Sequence, residues 1–307
     1  MINIYEAKVK NQQKSLVIIV GFFLFVALAI YILGRAFSLY TGNEPGGLGF
    51  VGMALIVSGL MSFGGYYFSD RIVLAISGAR EANRKTDFNF YTVVENLSLA
   101  TGLPKPKIYI IEDSAPNAFA TGRDPGHAVI CATSGLLNKL NRVELEGVIA
   151  HELTHVRDYD TRLMSVVAVL VGVIALMGDW FLRVSFRGKR EKDEGNLGVI
   201  FLILGLVFAI LSPIIAQLIQ LAISRRREFM ADAGSVEITR QPEGLISALK
   251  KISDDQEPLE AANKATAHLY IVSPFKAKGH GSVGRFANLF NTHPPIGERL
   301  KVLEAMA

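Results

Sequence analysis

The stretch GVIAHELTHVRDYD, residues 147–160, places His151 and His155 four residues apart with Glu152 beside the first. On a helix that spacing is about one turn, so both imidazoles project from one face and can reach one ion. Glu152 sits where it can hold a water beside that ion and take its proton. A solvated helix with incidental histidines is the plain alternative. Asn141 and Glu144 upstream form a capping-box-like start for the helix. Just downstream the chain becomes LMSVVAVLVGVIALMGDWF, residues 163–181, which has the composition of lipid-buried helix.

That apolar run is one of four, at 16–33, 50–68, 163–181 and 197–223. The first, second and fourth carry no charge and the third only Asp179. Crossing ~30 Å of hydrocarbon takes about 20 apolar residues. Half of the 307 residues are hydrophobic, and the mean hydropathy is +0.32. These features predict an integral membrane protein with four transmembrane helices. The first run is read as an uncleaved anchor rather than a signal peptide, because its 18 apolar residues exceed the usual signal core. Cys131 is the only cysteine, which excludes an intramolecular disulfide and a cysteine metal cluster. The net charge of +4 is small, and the basic residues cluster beside the apolar runs. This points to membrane flanks and away from nucleic acid.

Charge bias sets orientation. Lys8, Lys10 and Lys14 precede the first run; Arg71, Arg80, Arg84 and Lys85 follow the second; Arg225, Arg226 and Arg227 follow the fourth. Both termini and both large polar segments are therefore expected in the cytoplasm. Five basic residues between runs three and four, Arg183 to Lys192, run against this scheme. The expected organisation is a membrane anchor at 1–68, a first catalytic part at 69–162, two membrane helices at 163–223 and a second catalytic part at 224–307. The first polar segment reads as a helix at 86–100, a strand at 105–113 and a hairpin with arms 117–121 and 127–133. The second contains a helix at 242–252. The fold class is mainly α with a small β-sheet.

A three-ligand zinc site needs one more donor. SRRREFMADAGS offers Glu228 as a ligand and, one helical turn on, Asp232 to accept the free N–H of a ligating histidine. Such a pair alone also occurs on solvated charged faces. Neither Gly nor Pro separates His155 from Leu163, so the zinc helix is expected to run on into the third apolar run. The ion would then lie only about 12 Å from the start of that run. If Glu228 is not the ligand, Asp158 and Asp160 are the next carboxylates.

Taken in order, HELTH, an apolar pair of segments, RRREFMADAGS and NTHPPIGERL resemble the HtpX-type membrane zinc peptidases, relatives of the type I CAAX prenyl proteases. The resemblance covers the whole chain. It implies a gluzincin catalytic domain on the cytoplasmic face of the bacterial inner membrane, one Zn²⁺ per chain, and stress-linked endoproteolysis of damaged membrane proteins. It implies His151, His155 and Glu228 as ligands and Glu152 as base. It further implies that NAFATG is a substrate-facing edge strand, with Asn117 and Ala118 at the substrate, and that His293 stabilises the oxyanion. His127, His268 and His280 are expected to be structural or on the surface. The competing expectations are a processing protease with one narrow substrate and a non-catalytic scaffold with structural zinc.

Overall fold

The computed structural model describes residues 47–169, 225–255, 257–262, 266–272 and 294–307, with scattered positions between 9 and 31. His280, His293, the run at 197–223, most of the run at 163–181 and part of that at 16–33 lie outside these residues.

Helices α1 (Gly47–Tyr67) and α2 (Ser69–Ile76) lead into the short strand β1 (Arg80–Glu81) and helix α3 (Phe88–Thr101). Helix α3 stops at Gly102, whose φ of +67° is the left-handed cap that glycine adopts without a Cβ penalty. Strands β2 (Lys107–Ile111), β3 (Ala118–Thr121) and β4 (Val129–Thr133) follow, then helix α4 (Ser134–Lys139) and the central helix α5 (Arg142–Arg157). After 170–224 come α6 (Arg225–Thr239), α7 (Pro242–Asp254) and the C-terminal α8 (Ile296–Glu304). The fold is mainly helical with a small mixed sheet.

The sheet order is β1-β2-β4-β3, with β2 parallel to β4 and β3 antiparallel to β4. The predicted hairpin is therefore present, but the parallel β2–β4 pairing and β1 were not foreseen. Parallel pairing joins segments whose contact is not announced by any turn. Strand β3 ends the order, which makes it the edge strand among the described residues.

Every residue from Gly147 to Val156 is buried. Helix α5 packs against α3, α6, α7 and β3. A helix enclosed on all sides is normally apolar all round, so His151, Glu152 and His155 sit where unpartnered polar groups would be costly. This rules out the solvated-helix reading. Both hydrogen bonds of the capping box form: Glu144 N–H donates to Asn141 Oδ1 at 3.0 Å, and Asn141 N–H to Glu144 Oε2 at 2.9 Å.

Close approach of α5 and α7 depends on Gly147, where an added Cβ would lie 2.7 Å from the Leu245 backbone nitrogen. Gly147→Ala should therefore destabilise the fold by about 1–3 kcal/mol, the usual cost of overpacking. Gly64→Ala, whose Cβ would meet nothing within 4 Å, is the matched control. Equal unfolding midpoints for the two variants in detergent would refute this packing.

The expected continuation of the zinc helix does not occur. Helix α5 ends at Arg157, and Tyr159 takes a left-handed φ of +62° before helical residues resume at 160–169. No Gly, Pro or Asn marks this break. The side chains of Leu163, Met164, Val167 and Ala168 then pack with Phe119, Cys131 and Tyr270.

Among the described residues no helix is long and apolar enough to cross a membrane. Helix α1 runs for 21 uncharged residues, but its side chains at 47–51, 53 and 54 lie outside the described set. Over the rest of α1, Ile56, Leu60 and Phe63 are each more than half exposed.

Candidate metal centre and active site

Helix α5 supplies His151, Glu152 and His155, while the first turn of α6 supplies Glu228. All four are buried. The two Nε2 atoms lie 3.2 Å apart, and Glu228 approaches them at 3.8 and 3.6 Å. One ligand atom from each of His151, His155 and Glu228 falls within 4.8 Å of the others, an arrangement that could hold a metal ion.

The hydrogen bonds behind the imidazoles show what the cluster suits. His151 Nδ1 lies 3.0 Å from Asp232, and His155 Nδ1 lies 3.0 Å from Asp160. A carboxylate at Nδ1 keeps the proton there and leaves the Nε2 lone pair bare. Two bare lone pairs 3.2 Å apart repel each other unless a proton or a metal ion lies between them. Ligand atoms about 2.0–2.1 Å from a tetrahedral ion stand roughly 3.3 Å from each other. The observed separation fits that geometry.

Charge in the metal-free site follows the same logic. Burial holds His151 down at about 4, with Arg299 adding to this and Asp232 opposing. Burial also works against His155, but the Asp160 hydrogen bond and the Glu228 charge outweigh it and raise that group to about 9. Metal binding must therefore release a proton from His155, so affinity falls as pH falls. Glu152 is raised to about 7, chiefly by burial and further by Glu228, while His155 and the Ala120 backbone N–H pull it down. A carboxylate poised near neutrality suits a general base.

Sequence reasoning missed three residues that complete the centre. Arg299 of α8 is fully buried and grips Asp232 with two bonds, from Nε at 2.9 Å and Nη2 at 2.6 Å. Its Nη1 donates to the Ile271 carbonyl at 3.1 Å and lies 3.8 Å from Glu228. Burial opposes its charge, but Asp232 raises its pKa. Asp160, a substitute ligand by sequence, lies instead on the Nδ1 side of His155. Arg227, by sequence one of the basic residues that follow the fourth apolar run, donates to Asp160 Oδ1 at 2.9 Å. No local pattern reveals such partners, because each is distant in sequence or lies beyond the helix break.

Asn117, just before β3, and Ala118, its first residue, are both buried. The Ala118 carbonyl accepts from Ile271 N–H at 2.9 Å, and Asn117 Nδ2 donates to the Val272 carbonyl at 2.9 Å. Residues 271–272 thus lie against the edge strand. His268 is buried, with Nε2 3.1 Å from the Met164 carbonyl, whereas His127 sits half-exposed against Asp124.

A mixed sheet over a buried HELTH helix, with a glutamate from a second helix closing the cluster, defines a metallopeptidase. Residues 85–307 match Peptidase family M48. The chain belongs to that family and is a metalloprotease, which removes the scaffold reading. A relative described as "Protease HtpX homolog" from Dictyoglomus thermophilum is 44% identical, covering 98% of this chain and 94% of that one. Proteins of the same description from Thermoanaerobacter pseudethanolicus and Listeria monocytogenes serotype 4b are 44% and 40% identical, and each alignment covers 99% of this chain. The crystal structure of S. mikatae Ste24p superposes with a TM-score of 0.48 at 18% identity, covering 97% of this chain and 66% of that one.

Proposed function

We propose that this metalloprotease is a membrane-anchored zinc endopeptidase that cleaves misfolded or damaged membrane proteins at the cytoplasmic face of the bacterial inner membrane. The observation that carries the chemistry is the convergence of His151, His155 and Glu228 beside the buried carboxylate of Glu152. Two imidazoles and a carboxylate suit Zn²⁺. Membrane anchoring is supported by α1, uncharged over its 21 residues. Arg123 stacks 5.1 Å from the Tyr67 ring and Arg71 lies 5.6 Å from the Phe68 ring, both at the end of that helix. Aromatic and basic side chains gather in this way at a membrane–water interface.

His151, His155 and Glu228 would hold the ion, which when bound supplies Lewis acidity at the scissile carbonyl. Glu152 takes the proton of the attacking water and delivers it to the leaving amine. Asp232 and Asp160 keep the imidazoles in the tautomer that presents Nε2. Strand β3 offers an edge to an extended peptide. A substrate pairing at Asn117 and Ala118 replaces the hydrogen bonds these residues make to 271–272. His293 is assigned to the oxyanion.

The test uses full-length protein extracted in detergent from alkali-washed membranes. It should carry about one zinc per chain, held by three protein ligands with a position left open, and should cleave casein. Chelation should abolish cleavage, and added zinc should restore it. Cleavage that is indifferent to chelator would reject the zinc mechanism. Release of the protein by the alkaline wash would reject the anchor.

A further inference from the structure

We propose that Asp160, held by Arg227, is the positioning carboxylate of His155, and that this pair makes metal retention depend on contact between the two ligand-bearing segments. The inference rests on His155 and Glu228 being metal ligands.

In a continuous helix a residue five positions on is rotated about 140° away. Asp160 would then face away from His155. The break after Arg157 removes that rotation. Tyr159 adopts φ +62°, a conformation that is uncommon for a non-glycine residue. The chain turns back, and Asp160 Oδ2 reaches His155 Nδ1 at 3.0 Å. An unusual backbone conformation thus serves a specific contact at the site.

The other oxygen of Asp160 receives Arg227 Nη1 at 2.9 Å, and both residues are largely buried. Arg227 directly precedes Glu228 in the first turn of α6. One helical turn therefore carries a ligand and, beside it, the group that fixes the carboxylate behind another ligand. His151 has the same arrangement in Asp232 and Arg299. The two supports differ in connectivity. Asp232 and Arg299 join α6 to the C-terminal helix, whereas Asp160 and Arg227 lie on either side of residues 170–224 in the chain. Separation of those two segments at the site would loosen His155 and Glu228 together.

The test measures zinc affinity by chelator competition on full-length protein in detergent, in a Glu152→Gln background that prevents self-cleavage. Asp160→Ala should weaken zinc binding by about 10–100-fold, as expected for loss of a group orienting a ligand. Arg227→Ala should weaken it in the same direction, and the double variant should be no weaker than Asp160→Ala alone. Asp160→Asn keeps an acceptor for Nδ1–H but loses the charge, so it should fall between wild type and Asp160→Ala. Tyr159→Gly, which permits the same turn, should keep wild-type affinity. Zinc affinity unchanged in Asp160→Ala overturns the proposal, as do strictly additive effects of the two alanine substitutions. A fall in metal-free thermal stability that accounts for all the lost affinity also overturns it, since Asp160 would then be a folding residue. A protein that binds no zinc even before these substitutions would instead refute the ligand assignment.

Discussion

Glu152→Gln should leave the metal in place and reduce peptide-bond cleavage by at least about 10²–10⁴-fold, the range that general-base catalysis supplies. Glutamine matches glutamate in size, so the packing of α5 against β3 is preserved. What it lacks is the ability to take a proton from water. Glu152 lies in the buried row of α5, where the Ala120 backbone N–H of the edge strand favours its charged form. Packing of α5 on β3 fixes the base relative to the strand on which a peptide would lie. In the metal-free site burial sets its pKa at about 7. A bound cation favours the carboxylate and moves this downward. The sign is that of a base: activity is present above the pKa and lost as pH falls through it, so the acid limb should lie at or below about 7. Zinc content measured beside casein turnover separates the outcomes. Wild-type turnover in the variant would remove Glu152 from the mechanism.

Glu228→Ala should lose the metal altogether. It removes one of three protein donors and leaves two imidazoles, too few for a stable zinc site. Metal content equal to wild type would sink the assignment. Asp232 is a different case. Sequence reasoning gives it a tuning role, for which truncation costs about 10–100-fold in affinity. The structure adds that Arg299 is fully buried and bonded twice to the same carboxylate. Removing one member of a buried pair costs up to about 3–5 kcal/mol, and here would leave Arg299 only the more distant Glu228 at 3.8 Å. Asp232→Ala should therefore lower metal-free stability as well as zinc affinity. Asp232→Asn, which keeps an acceptor toward His151, should be milder. A metal-free Asp232→Ala protein as stable as wild type would show that the Arg299 pair is not formed as described.

The division between what is legible in the sequence and what is not follows the range of the interactions. Helical periodicity alone put His151 and His155 on one face and Glu228 and Asp232 on another. The start of α5 was legible too, because a capping box is written within four residues, from Asn141 to Glu144. The hairpin was legible for a similar reason: its turn carries Gly, Asp and Pro between two β-rich arms. Local chemistry could not show the parallel pairing of β2 with β4, since no short turn connects them. Nor could it show the end of the zinc helix, because Tyr159 takes its left-handed turn without the residues that usually permit one. That turn is held in place by packing and by Asp160 bonding to His155. Arg299 lies 67 positions from Asp232 and 148 from His151. Its sequence neighbourhood reads as an ordinary charged helix. Only the close packing of α8 on α6 and α7 takes that guanidinium out of water, and a buried charge then requires its partner. The reactive groups are thus inscribed in short motifs, while the groups that hold their protons, tautomers and angles are chosen by where the folded chain excludes solvent.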